Sequence, residues 1–422
     1  MQKHIPFLFF PLSFIFGNWP QYHGPKFDKS TLSSATLTER INLSGKTLWK
    51  CPTPLGFSSF STNSNIIFTL IAEEDEDGLL REVCIALNPN TGNKIWSTQL
   101  GIAAYGHKGG NAGTYNNSGG DGPRSTPSVN NKRVYIYDSS MTLHCLSADS
   151  GKSIWAVDII DKHQGKNIMW KNASCPLLLE NLVIICGGGK GQSFIGFDQE
   201  TGEVRWKCGD AVPTHATPAF ARIDDQDQVI FLCRSGLISI NPENGQELWN
   251  QAFPFKVSTA ASPVVAGHLV YCSAGYGVGA AVFKITRKQN SWKSETLWRK
   301  SNELMNHWST PLYYQGNLYG IFGFKEYGDA PLQCVDLATG KIRWSKEGFG
   351  PGNLIRTGNQ LIVLSDDGQV VVVYASPDAY KELGRKKLVD GKCWSTPILS
   401  NNLLIDRSTK EAAALLINDQ NY

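Results

Sequence analysis

Eight positions in this chain share one place in a repeat, three residues ahead of a proline or its substitute. They are Phe57, Arg124, Ala173, His215, Ala260, Trp308, Gly352 and Trp394, and His307 stands beside them. The set mixes a guanidinium, imidazoles and indoles with small residues. Brought together, Arg124 would pair a carboxylate while Trp308 or Trp394 stacked on a flat ring, so the chemistry on offer is capture of an anionic or planar ligand. The competing and weightier reading is that these side chains fill a channel and bond backbone groups. Two inserts add candidates on the same side. Residues 101–123 carry Tyr105, His107, Lys108 and Asp121 in a glycine-rich stretch, and 161–172 ends on Trp170-Lys171-Asn172. Long irregular segments inside a repeat are often functional, and a ligand-free loop is the plainer alternative.

Other chemistry finds little support. Glu73-Glu74-Asp75-Glu76-Asp77 has the charge for calcium, but its spacing fits no EF-hand and reads as a solvated loop. Residues 187–191 are glycine-rich around Lys190, yet lack the Gly-Lys-Ser/Thr order of a phosphate loop. The eight histidines show no metal-ligand spacing, and nothing marks a nucleophile elbow. No catalytic residue and no metal site are identifiable.

The elements that must position these residues are legible. Six times a glycine stands four residues before a tryptophan: Gly45/Trp49, Gly92/Trp96, Gly151/Trp155, Gly202/Trp206, Gly245/Trp249 and Gly340/Trp344. Trp298 follows Ser294 in the same frame, and Leu383 stands where an eighth tryptophan is expected. A period near 40–50 residues is the mark of a solenoid, propeller or array. Within the unit ending at Trp206, four short apolar runs (176–180, 182–186, 194–197, 203–208) are separated by turn residues. Four such runs per period make a propeller blade. The tryptophan is expected to bury its ring against the next blade.

Ser125-Thr126-Pro127, Ser174-Cys175-Pro176, Ala216-Thr217-Pro218, Ala261-Ser262-Pro263, Ser309-Thr310-Pro311 and Ser395-Thr396-Pro397 open first strands, with Phe60 and Ile355 replacing proline in two more units. The last start lacks a fourth strand, and the strand around Trp49 lacks a blade. The prediction is an all-β, eight-bladed propeller of four-stranded antiparallel blades, its last blade completed by the N-terminal strand; misreading 353–388 or 55–100 would leave six or seven blades. Closure removes the open edges a sheet must otherwise protect. The propeller is expected over 41–420 as one domain, preceded by an extension over 18–40.

Residues 1–17, basic at Lys3 and then apolar, are too short for a membrane span and read as a secretory signal. The mature chain is therefore expected in the periplasm or outside the cell, with no transmembrane segment. A net charge of +3 with no basic cluster excludes a nucleic-acid footprint. The ten cysteines fall at repeated blade positions and are expected to be buried thiols, equivalent positions on separate blades being too far apart to bridge.

The Asp-x-x-Thr-Gly-x-x-x-Trp units at 198–206 and 336–344 resemble the repeat of pyrroloquinoline-quinone (PQQ) type propellers. That repeat occurs in quinoprotein alcohol dehydrogenases and in the propeller lipoprotein of outer-membrane assembly. The opening Trp19-Pro20-Gln21-Tyr22-His23-Gly24-Pro25 is similar to that of exported bacterial PQQ-like propellers, as are 122–127, 306–308 and 364–368. The resemblance implies the fold and, for a dehydrogenase, PQQ with calcium. The vicinal cysteine pair that such enzymes carry over the quinone is absent. Two functions lead, with a hydrolase or lyase built on the propeller as the remaining alternative. One is an exported binding or interaction scaffold of the cell envelope, with an unknown protein or small-molecule partner and no certain cofactor. The other is a PQQ-dependent dehydrogenase of an alcohol or sugar, with Arg124, His215, His307 and the tryptophans holding the quinone and an unassigned carboxylate taking the proton.

Overall fold

Every repeat becomes a four-stranded antiparallel sheet in the computed structural model, which describes residues 19–32, 41–105, 122–256, 259–289, 291–323 and 330–419. The predicted signal at 1–17 lies outside the described residues. Blade 1 spans 61–102, blade 2 128–158, blade 3 177–208, blade 4 219–252, blade 5 264–300, blade 6 312–346 and blade 7 353–387. Blade 8 takes three strands from 398–416 and its outermost from Thr47–Pro52. That strand pairs antiparallel with the chain's end, Trp49 opposite Ala414 and Cys51 opposite Ala412, so the ring closes as expected. A two-residue ladder, Ile41–Asn42 on Asn418–Asp419, extends the seam.

The middle strands are β-branched and buried on both faces, as Gln360–Leu364 against Gln369–Tyr374 shows, whereas outermost strands alternate exposed and half-buried residues. Apolar runs therefore sit between neighbouring sheets, and alternating ones form the rim. The glycine–tryptophan pairs work across blades rather than within them. Trp49 Nε1 donates to Pro89 O at 2.7 Å, Trp96 to Ala148 O at 2.9 Å, Trp206 to Pro242 O at 2.7 Å and Trp298 to Leu337 O at 2.8 Å, each in the next blade's turn. The glycine of that turn lies against the incoming indole: a Cβ on Gly202 would stand 2.7 Å from the Trp155 ring and one on Gly245 2.8 Å from Trp206. Blade 5 has Ser294 in place of the glycine, and the indole facing it, Trp249, bonds Gln228 Oε1 of its own blade instead.

The Ser-Thr-Pro starts have a matching explanation. Ser59 N donates to Thr126 Oγ1, Thr126 N to Cys175 Sγ, Cys175 N to Thr217 Oγ1, Ser262 N to Thr310 Oγ1 and Thr396 N to Ser59 Oγ. Each side chain satisfies an inner-edge N–H of the preceding blade, which would otherwise be orphaned near the axis. Buried Arg407 of blade 8 reinforces the seam, reaching Thr69 Oγ1, Leu70 O, Thr53 O and Leu55 O. Burial lowers its pKa to about 9.

All ten cysteines are free. Cys186 and Cys233, at equivalent places on blades 3 and 4, share one core cluster and their thiols interact, so equivalent positions are not always distant.

The described part of the extension, 19–32, fills the channel at the end where first strands finish. Thr62 N of blade 1 bonds Trp19 O at 2.8 Å, Val129 N of blade 2 bonds Pro20 O at 2.8 Å, and Leu178 N of blade 3 bonds Gln21 Oε1 at 3.1 Å. Phe27 lies against Phe220 of blade 4, and His23 Nε2 meets Ser262 Oγ before blade 5 at 3.1 Å. Lys29 Nζ donates to Thr310 O before blade 6 at 2.8 Å, while Lys29 O and Thr31 N bond the backbone of Arg356 in blade 7. Tyr22 completes the circuit beside Thr310 and Thr396.

Candidate functional site

The first strands start at the opposite mouth, where the repeat places its mixed ring of side chains. The structure sorts them into two groups. Trp394 stacks between Phe57, at 4.6 Å and 25°, and Trp308, at 4.1 Å and 21°. Phe57 and Trp394 are buried and Trp308 is half-buried, so the ladder has one open end. His307 extends it, 5.0 Å from Trp308 and 5.3 Å from Tyr276, while its carbonyl accepts from Ala260 N. Offset stacking of this kind adds roughly 1 kcal/mol per pair beyond area burial.

Arg124 and His215 form the second group, around the insert that precedes blade 3. Trp170 and Lys171 both take left-handed backbone angles (φ 63° and 64°), a conformation that costs a non-glycine residue on the order of 1 kcal/mol. The turn presents three successive carbonyls to the channel. His215 Nε2 reaches Met169 O at 3.1 Å and Lys171 O at 2.9 Å, and Arg124 Nη1 reaches Trp170 O at 2.6 Å. Two carbonyl acceptors require Nε2 to carry the hydrogen. Burial, then the Arg124 charge, lowers the His215 pKa to about 4, so the imidazole is neutral at pH 7. Trp170 thus enters through its carbonyl. Arg124 also lies over the Tyr105 ring, 5.1 Å from its centroid. His107 lies outside the described residues.

Two side chains not flagged by the sequence belong to this mouth. Lys392 is buried with its Nζ 4.8 Å over the Trp394 ring, and that Nζ has no hydrogen-bond partner. Burial lowers its pKa to about 8, against a raising pull from Asp366. Its place two residues before Trp394 was the available signal. The other is Glu82, buried on the third strand of blade 1, with Oε1 accepting from Tyr105 Oη at 2.7 Å and Oε2 from Ser139 N at 3.0 Å. Burial, then neighbouring Asp138, raises its pKa to about 7.

Chemically, the mouth offers an indole face, a neutral imidazole and cations already turned to ring faces or carbonyls. A bed for PQQ with calcium would need an open ring face and convergent oxygen ligands. Here Phe57 and Trp394 are covered and only the half-buried Trp308 end is open, and no group of three His, Cys, Asp or Glu side chains among the described residues is placed to hold a metal. As they stand, the described residues of the mouth do not fit the quinone–calcium pair. Among the described residues, no helix is long and apolar enough to cross a membrane.

Comparison with known proteins places this geometry in context. A family model described as outer membrane protein assembly factor BamB matches residues 81–346. Tetrathionate hydrolase of Acidithiobacillus ferrooxidans is 25% identical over 257 residues, which is 61% of this chain but only 43% of that protein. The assembly factor BamB of Moranella endobia is 22% identical over 325 residues, 74% of this chain and 76% of that one. Among solved structures, a quinohemoprotein alcohol dehydrogenase from Comamonas testosteroni is similar with a TM-score of 0.64 at 13% identity, covering 94% of this chain and 80% of that one. The last likeness is one of fold.

Proposed function

The chain belongs to the β-propeller family described as outer membrane protein assembly factor BamB, and we propose that it serves as an exported scaffold of the cell envelope, binding a protein or a small ligand. The observation that carries this reading is the engagement of the mouth. Arg124 and His215 hold the carbonyls of 169–171, and Phe57, Trp394 and Trp308 stack on one another. Side chains occupied in this way stiffen a docking face more readily than they cradle a cofactor. The relative from Moranella endobia bears the name of an assembly factor, which fits a propeller that works by holding a partner.

A second reading, PQQ-dependent oxidation of an alcohol or sugar, draws on one feature. The Lys392 ammonium, near Asp366 but without a hydrogen-bond partner, lies beside an indole ladder and would attract an anionic planar group if Trp308 swung aside. One titration separates the two. Purified protein is titrated with PQQ and calcium while tryptophan fluorescence and reduction of an electron-accepting dye are followed. The scaffold reading expects no saturable quenching at concentrations on the order of tens of micromolar. Saturable quenching in that range, lost in Trp308→Ala and accompanied by dye reduction with an alcohol, would overturn it.

A further inference from the structure

A cavity of about 210 Å3 opens at the plugged end of the channel, between the N-terminal segment and the first strands of blades 4, 5 and 6. Lys26, Lys29 and His23 line it from the plug, and Phe220, Arg222 and Tyr313 from the blades. Its lining does not include the mouth residues His215, Ala260 and Trp308; it runs from Pro263 and Thr310 near the strand starts to Arg222 and Gly267 toward the ends of first strands.

Its charge is unbalanced. Lys29 is 1% exposed, and among the described residues its ammonium is held by neutral oxygens, Thr310 O at 2.8 Å and Asn353 Oδ1 at 3.3 Å. Burial lowers its pKa to about 7, the expected response of an ammonium without a countercharge. His23 is held neutral, its pKa lowered to about 3 by burial and by Lys29. Asp28 is the one carboxylate on the lining, and its Oδ1 is taken by Ser30 N at 2.9 Å and Ser30 Oγ at 2.6 Å. Arg222 is loosely held by exposed Asp225 and Asp227, at 3.9 and 3.7 Å. The cationic side faces an apolar wall in which Phe27 and Phe220 lie 4.8 Å apart.

We propose that this cavity binds a small organic acid anion, its carboxylate directed to the Lys29 and Lys26 side and its carbon body lying against Phe27 and Phe220. The assignment is independent of what the mouth binds. An incoming carboxylate supplies the countercharge the fold withholds from Lys29, and the bound acid bridges plug and ring. Occupancy therefore reports on the plug: Lys26 is exposed and precedes Phe27, so trypsin cleavage of that bond should slow when the site fills.

The test uses benzoate as probe, with benzylammonium and inorganic phosphate as comparison arms, on the full chain. Calorimetric titration and tryptic cleavage at Lys26–Phe27 are the readouts. Benzoate should bind saturably and slow cleavage several-fold. Phosphate should bind at least ten-fold more weakly, having nothing to place against the rings, and benzylammonium should not bind. Lys26→Ala, at an exposed position, should weaken benzoate binding several-fold, read by calorimetry alone because the cleavage site is removed. Phe220→Ala should weaken benzoate but not phosphate. Absence of benzoate binding at millimolar concentration, equal binding of benzylammonium, or benzoate affinity unchanged in both variants would overturn the proposal.

Discussion

Gly202 and Gly78 have the same backbone angle, φ +74°, but different surroundings. A Cβ on Gly202 would fall 2.7 Å from the Trp155 ring, whereas a Cβ on Gly78 meets nothing within 4 Å. Alanine at either site incurs the left-handed penalty of about 1–2 kcal/mol. Only Gly202→Ala must also push an indole whose N–H is anchored to Gln199 O at 3.2 Å, and overpacking of this kind costs roughly 1–3 kcal/mol more. The difference between the two variants should therefore be about 2 kcal/mol, measurable by urea denaturation with fluorescence detection. The remedy is specific as well. Shrinking the ring with Trp155→Leu should recover most of that difference in Gly202→Ala and none of the loss in Gly78→Ala, which a double-mutant cycle reads as coupling. Equal destabilisation of the two alanine variants, or no coupling with Trp155, would refute the idea that each turn glycine exists to admit the preceding blade's indole.

Two further outcomes are expected. Deleting 41–52 removes the outermost strand of blade 8 and the connection toward Arg407's carbonyl partners, so the cooperative unfolding transition should vanish; a truncated chain melting like the intact one would show that this seam does not hold the ring. Glu82 has its folded pKa raised from 4.5 to about 7. The fold thus favours its protonated form, and the stability it adds is present below about pH 4.5 and lost as pH rises through 7. The loss is on the order of 3 kcal/mol as an upper bound. Glu82→Gln should flatten that stretch of the stability–pH curve, and an unchanged slope would remove Glu82 as its source.

The architecture was legible because repetition leaves a record at each turn. Glycine, tryptophan and proline recur in fixed frames, and even the strand borrowed by blade 8 could be counted from one start without an end and one end without a start. That each indole packs on the next blade was expected from the sequence, but that it lands on that blade's turn glycine was not, since one frame cannot say whether Gly202 serves Trp206 or Trp155. Cys175 illustrates a related limit. It occupies the place of threonine in Ser-Thr-Pro and does the same work, its sulfur accepting from Thr126 N. At the mouth, spacing gathered Arg124, His215, Trp308 and Trp394 on one rim, but their orientations depend on the turn at 169–171, whose left-handed Trp170 and Lys171 have no sequence signature. Lys29 and Arg407 were missed because their partners lie hundreds of residues away, and Glu82 because its partners, Tyr105 and Ser139, come from a separate insert and the next blade. The polar run Gln21-Tyr22-His23 was the available hint that residues 19–32 are packed rather than trailing.

Two segments that precede blade 1 in the sequence are among the last to find their places. Trp19 to Thr31 rest on groups spread from Thr62 to Arg356, and Thr47–Pro52 waits for Glu411–Leu415. A nascent chain must carry both segments unmatched until blades 7 and 8 have been made, which places these slow, non-local contacts late in folding. Seating them amounts to a completeness check on the ring: a chain broken before the closing hairpin of blade 8 keeps an open sheet edge, and presents itself to proteases as unfinished.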